Sequence, residues 1–230
     1  MRTLSAYQDF IDFFAEINWK EIWRGSEQTI QMLGFSMLFT VLLGLALGVL
    51  LFLTTRGQLL ENKIVYTVLS YVINILRSVP FIILMISIIP LTKIIVGTSI
   101  GVKGAIPPLV IAAAPFFARL VETALREVDR GVIEAAQAMG ASKWTIIWRV
   151  MLREARTGII AAITITAVTL VSYTAMAGAI GAGGLGDLAI RYGYQRFRPD
   201  ILVVTVGLLI VLVQLLQTLG DWLVRRLTRK

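Results

Sequence analysis

Residues 30–53 read Ile-Gln-Met-Leu-Gly-Phe-Ser-Met-Leu-Phe-Thr-Val-Leu-Leu-Gly-Leu-Ala-Leu-Gly-Val-Leu-Leu-Phe-Leu, from Ile30 to Leu53. The stretch carries no charge, and Gln31 is its only strongly polar side chain. As a helix rising 1.5 Å per residue it extends roughly 36 Å, enough to cross the hydrocarbon of a bilayer with some tilt. Gly44 and Gly48, four residues apart on one face, permit close approach of a second helix, and Gly34 lies earlier on the same segment. Arg56-Gly57 ends it.

The rest of the chain follows the same pattern. Of 230 residues, 57% are hydrophobic and only 16% charged, where a soluble domain carries about a quarter charged. Much of that apolar surface must face lipid. Residues 64–96 are apolar but too long for one straight crossing. They read as a helix entering near Ile64, disturbed around Arg77-Ser78-Val79-Pro80 and continuing to about Val96, because Pro80 removes a backbone donor. A third span covers 105–125, with Pro107 and Pro108 at its start and Arg119 and Glu122 able to pair on one face. A polar segment, 126–156, separates it from a fourth span at 157–179. A Gly-rich loop then leads to a fifth at 201–224. The expectation is an all-α membrane protein with five transmembrane helices. Residues 1–28 form an N-terminal extracytoplasmic segment, 29–225 the transmembrane domain, and 226–230 a basic cytoplasmic tail. Residues 1–28 carry Asp9, Asp12, Glu16, Glu21 and Glu27 and do not read as a cleavable signal.

Lys and Arg give the orientation. With the N-terminus outside, thirteen fall on inner segments and seven on outer ones, which favours N-outside and C-inside; Arg191, Arg196 and Arg198 oppose that bias. The formal charge of +8 then places basic residues beside anionic lipid rather than nucleic acid. With neither Cys nor His, disulfides, thiol nucleophiles and Ser–His–Asp catalysis are excluded. No carboxylate lies mid-span, so no side-chain site for a driving proton or sodium ion is built here. Energy for moving a solute comes from outside such a chain, and five helices are few to enclose a path without a second copy.

The inner segment contains Glu134-Ala135-Ala136-Gln137-Ala138-Met139-Gly140, then Ala141-Ser142-Lys143-Trp144-Thr145-Ile146-Ile147-Trp148-Arg149-Val150-Met151-Leu152-Arg153. It reads as two short helices. Gly140 is suited to a left-handed C-cap and Ser142 to the next N-cap. Trp144, Ile147, Trp148 and Met151 recur as an apolar stripe, and Ala135, Ala136 and Ala138 are small enough for close approach. By residues alone this is either an amphipathic helix against the membrane or its own bundle, or a docking surface. The run Glu-Ala-Ala, three residues, Gly, then an apolar stretch ending in Leu resembles the EAA loop of ABC importer permeases. Arg153 stands where that pattern often has Pro.

Arg77-Ser78-Val79-Pro80-Phe81-Ile82-Ile83-Leu84, the run Ile95 to Gly101, the run Ala177 to Asp187, and Tyr192-Gly193-Tyr194 are similar to segments of methionine importer permeases. The resemblance covers residues 28–230. It implies a type I ABC importer permease in a bacterial plasma membrane, moving methionine by alternating access. It further implies a homodimer, two ATPase subunits that bind ATP and Mg, and an extracytoplasmic methionine-binding protein. No cofactor is then expected on this chain, and it is not itself an enzyme. Glu134, Ala135, Ala136, Gly140, Trp144 and Ile147 become the ATPase-coupling residues. The same scaffold serving another amino acid or small solute is the alternative, ahead of an ion-coupled carrier, a channel or an intramembrane enzyme.

Three further features are legible. Gly181-Ala182-Gly183-Gly184-Leu185-Gly186 fits the dinucleotide fingerprint but follows a span rather than a strand, which points to a turn or tight helix packing. Thr169, Ser172, Tyr173 and Met176 share a helical face; they either line a pathway that Met176 and its two-fold mate narrow, or simply pack between helices. Arg77 and Pro80 mark a structural kink. An exposed Arg mid-span costs about 2.5–3.5 kcal/mol, so Arg77 is expected to be buried, either capping carbonyls that Pro80 frees or meeting a substrate carboxylate.

Overall fold

The computed structural model describes residues 17–228, and every regular element among them is helical. The expectations for Arg2, Asp9, Asp12 and Glu16 and for the tail residues Arg229 and Lys230 lie outside the described residues.

Helix α1 runs Trp19–Thr54, so residues 19–28 of the expected N-terminal segment are its first turns. At this length it rises roughly 54 Å, well beyond the hydrocarbon, and Lys20, Glu21, Arg24 and Glu27 lie in its first turns. Ser36, Thr40, Gly44 and Gly48 are buried at four-residue intervals. A Cβ on Gly44 would come within 2.8 Å of the Ala114 carbonyl, and one on Gly48 within 2.6 Å of the Ala118 carbonyl. The small stripe therefore brings α1 into backbone contact with α5 (Gly101–Arg126).

The second apolar stretch is not one disturbed helix. It is α2 (Lys63–Ser78), whose first turn is capped by Asn62, then α3 (Phe81–Ser87) and α4 (Ile89–Val96). The chain turns by 104° between α2 and α3. Val79 is extended at φ −81°, ψ 126°, as the residue before a proline prefers. Pro80 then supplies the fixed φ that starts α3. The kink is thus a full break.

Helix α5 begins four residues earlier than expected, so Pro107, Pro108 and Pro115 lie inside it. The polar segment holds α6 (Arg130–Ala138) and α7 over residues 143–154. The next span is α8 (Arg156–Gly178). Then come α9 over residues 184–194 and α10 (Pro199–Thr228). Among the described residues four helices, α1, α5, α8 and α10, are long and apolar enough to cross a membrane, and the bent α2–α3 pair raises the number of crossings to as many as five.

Two apolar cores stack along α5. One joins Met32, Phe81, Leu84, Leu109, Ala113, Leu170 and Ala177, from α1, α3, α5 and α8. The other joins Phe52, Phe117, Val121 and Leu125 to Ile133, Ala136, Ile146, Ile147 and Met151. The polar segment is therefore built into the end of the bundle instead of hanging from it.

Candidate functional site

The polar segment is shaped by three local devices. Asp129 Oδ1 accepts the Gly131 N–H at 2.6 Å and opens α6. At its end the Gly140 N–H donates to Gln137 O at 2.9 Å and the Ala141 N–H to Ala136 O at 3.1 Å. With φ +77° at Gly140, this pair of bonds is a Schellman turn. Ser142 Oγ then accepts the Thr145 N–H at 3.2 Å and starts α7.

The expected stripe on α7 divides. Ile146–Met151 forms a π-helical turn, so the 3.6-residue period that would align Trp144, Ile147, Trp148 and Met151 does not hold. Ile146, Ile147 and Met151 turn into the bundle, whereas Trp144 and Trp148 stay exposed with ring centroids 5.4 Å apart. Ile147 is thus a residue of the permease's own core. So is Ala136, whose side chain packs beneath α6 and leaves Ala135 and Ala138 on the open side. Glu134 is exposed and lines a shallow cavity of about 170 Å³ with Gln58, Arg130 and Gln137. Met139, 81% exposed, and Val132 join the two tryptophans on the open surface. Neither was picked out by sequence; for Met139 its place beside the αL glycine Gly140, outside any repeating stripe, was the available signal.

The face of α8 also divides. The Thr169 hydroxyl donates to Ile165 O at 2.9 Å. Ser172 lies in an open groove of about 300 Å³ between α8 and α10, lined by Val171, Val206, Ile210, Val213 and Gln214. Met176 is 39% exposed. Tyr173 turns the other way, stacked on Phe81 with ring centroids 4.5 Å apart and planes 4° from parallel. There it shares a cavity of about 110 Å³ with Leu76, Arg77, Val79 and Phe116. Arg77 is exposed and makes no hydrogen bond or ion pair with a described residue. It is not the buried carbonyl cap that the span position suggested, because the chain behind it turns away at Pro80.

Two polar clusters support these faces. Glu122, 3% exposed, accepts from Arg119 Nη1 at 2.6 Å and Arg126 Nη2 at 2.7 Å, and Arg119 reaches on to Ser70 and Asn74 of α2. The Gly-rich run is consumed in packing. The Gly184 N–H donates to Gln28 Oε1 and the Leu185 N–H to Thr29 Oγ1, both at 2.9 Å, and Gly186 lies against the backbone of Ala175. It follows α8, a helix, so no strand–turn–helix phosphate cradle is formed.

The family model for the binding-protein-dependent transport system inner membrane component matches residues 41–230. The chain belongs to that family. The permease is 54% identical over 203 residues to a probable D-methionine transport system permease protein of Vibrio cholerae, covering 88% of this chain and 90% of the relative. It is 45% identical over 212 residues to the methionine import system permease protein of Bacillus subtilis, covering 92% and 96%. Among solved structures it is similar to the permease chain of the inward-facing MetNI methionine ABC transporter. That match has a TM-score of 0.89 at 46% identity and covers 93% of this chain and all of the other. An amino acid ABC transporter at 18% identity and TM-score 0.72 shares the fold. The permease is therefore an all-α, multi-pass inner membrane transport component of the type I importer fold.

Proposed function

We propose that the permease carries methionine across the inner membrane by alternating access, as one of two copies driven by two partner ATPase subunits and fed by an extracytoplasmic methionine-binding protein. The observation that carries this reading is the match to the MetNI permease across 93% of the chain at 46% identity. The names of the relatives agree with it. ATP and Mg are held by the partner, and the N-terminus lies outside, as the distribution of Lys and Arg favours.

In this reading the ATPase docks on the open side of α6 and α7. Glu134, Ala135, Met139, Trp144 and Trp148 meet the partner. Ala136, Ile147 and Met151 transmit its movement, because they are packed against Phe117, Val121 and Leu125 of α5. Gly140 sets the angle between the two halves. Thr169, Ser172 and Met176 face the two-fold mate, and Met176 narrows the closed path. Its unbranched, polarizable side chain fills a gap yet moves aside readily.

The deciding experiment is reconstitution. With the ATPase subunit and the external binding protein, liposomes should accumulate labelled methionine only when ATP is hydrolysed. Replacing Trp144 and Trp148 together by Ala should abolish retention of the ATPase subunit on a tagged permease, since paired aromatics of this kind dominate interface energetics. Accumulation without the ATPase subunit, or full retention after the double replacement, refutes the scheme.

A further inference from the structure

Helix α2 begins at Lys63, and Arg77 lies fourteen residues on, roughly 21 Å along the axis. Lys63 follows the polar turn at Asn62, so Arg77 sits at hydrocarbon depth in a layer about 30 Å thick. An arginine there demands an anion or water. Among the described residues the ion-paired carboxylates are committed elsewhere: Glu122 to Arg119 and Arg126, Asp187 to Arg191, Asp200 to Arg198. Arg77 has no partner among the described residues.

Its surroundings are specific. The break at Val79–Pro80 turns α3 away by 104°, and Arg77 lines a cavity of about 110 Å³. On its other side the walls are Phe81 and Tyr173, stacked nearly parallel, with Phe116 and Leu76 beyond. A cation adjoining an aromatic platform suits a ligand with a carboxylate at one end and a soft apolar tail at the other. The guanidinium fork matches a carboxylate through two parallel hydrogen bonds, and a thioether sulfur makes favourable contact with ring edges. Arg77 lines this cavity and is itself exposed, so its guanidinium is accessible from outside.

We propose that Arg77 holds the carboxylate of the amino acid in transit, with Phe81 and Tyr173 receiving its side chain. This rests on the methionine reading above and adds to it a substrate contact inside the membrane, on α2 and α3, away from the Met176 face. The charge of Arg77 is a specificity element: solutes lacking a carboxylate do not settle there.

The test uses the permease–ATPase complex in lipid nanodiscs without the binding protein, photolabelled with a diazirine analogue of methionine. Label is expected on residues 76–81 or on Tyr173. Methionine should protect at least tenfold better than methioninamide, whose carboxylate is replaced by a neutral amide. Arg77→Met should erase that preference to within twofold, and Arg77→Lys should retain it. Label confined elsewhere, equal protection by the amide in the native protein, or a preference that survives Arg77→Met overturns the proposal. If Arg77→Met does not assemble, the position of the label and the preference in the native protein decide alone. ATP-driven methionine uptake by the native complex is measured separately. Its absence would sink the transport reading, whereas normal uptake with no carboxylate preference sinks only this one.

Discussion

Replacing Gly140 isolates the contribution of a single backbone angle. The residue sits at φ +77° between α6 and α7, and a Cβ built there meets nothing within 4 Å. Steric contact with the rest of the chain is therefore no part of the cost of Gly140→Ala. What remains is the intrinsic penalty of an L-residue in the left-handed region, about 1–2 kcal/mol. Because the turn is closed by only two hydrogen bonds, from Gly140 and Ala141 to Gln137 and Ala136, that energy falls on the α6–α7 angle. Converted to an equilibrium, it lowers the fraction with the docking angle by roughly five- to thirtyfold. Titrating the ATPase subunit against the permease in liposomes, with ATP-driven methionine uptake as the signal, should show an apparent affinity weakened within that range. Gly140→Asn should lose no more than about threefold, since Asn tolerates this conformation at helix ends. Wild-type affinity in the Ala variant refutes the reasoning. Equal loss in both variants refutes it differently, by showing that the partner excludes any side chain at 140.

Three other perturbations probe separate parts of the molecule. Gly48→Val places its Cβ within 2.6 Å of the Ala118 carbonyl and 2.7 Å of Val121 Cβ; the α1–α5 contact must open, at about 1–3 kcal/mol, and the thermal midpoint of the purified permease should fall. Glu122→Gln leaves Arg119 and Arg126 without their shared carboxylate; the loss should be about 3 kcal/mol, the lower end for a broken buried pair because Arg126 is half exposed, read as a lower midpoint with Glu122→Asp falling between the two. Met176→Ala should raise ATP-independent methionine leak severalfold through reconstituted complexes; an unchanged leak removes Met176 from the gate.

Much of the fold was legible because hydrocarbon imposes it. Uncharged stretches long enough to cross had to be helices, and the spacing of Gly44 and Gly48 announced a close helix contact, though not that α5 makes it. The interruption at Pro80 was legible too, though its size was not. A proline states that a donor is missing and that the preceding residue is extended; whether the helix bends or stops depends on what α3 packs against, and Phe81, Leu84 and Met85 are held by the core around Leu109 and Leu170. At the candidate site, Ser142 and Gly140 could be read from local capping chemistry. The direction of Trp144 and Ile147 could not. The π-helical turn over Ile146–Met151 shifts the register by part of a turn, and no residue type in that stretch signals it. On α8 the division has a tertiary cause: Ser172 opens into the groove beside α10, whereas Tyr173 is claimed by a ring across the bundle, Phe81, that lies ninety-two positions earlier in the chain.

The exposed surface of a membrane permease has to be interpreted against lipid, not water, and this reverses which exposures carry meaning. Leu42, Leu43, Ile83 and Val203 are all exposed, and lipid satisfies each of them. Exposed hydroxyl and amide groups at the same depth are not satisfied so, because hydrocarbon offers them no hydrogen bond. Thr169 meets the demand internally by bonding Ile165 O, and Gln214 bonds Gln217 at 3.4 Å. Ser172 is exposed in the groove beside Gln214, with no intrahelical bond of the kind Thr169 makes. Arg77 is the extreme case, with a full charge in place of a hydroxyl. The few polar groups left open on α8 and at the end of α2 mark where lipid is displaced, by the mate, by water or by the solute.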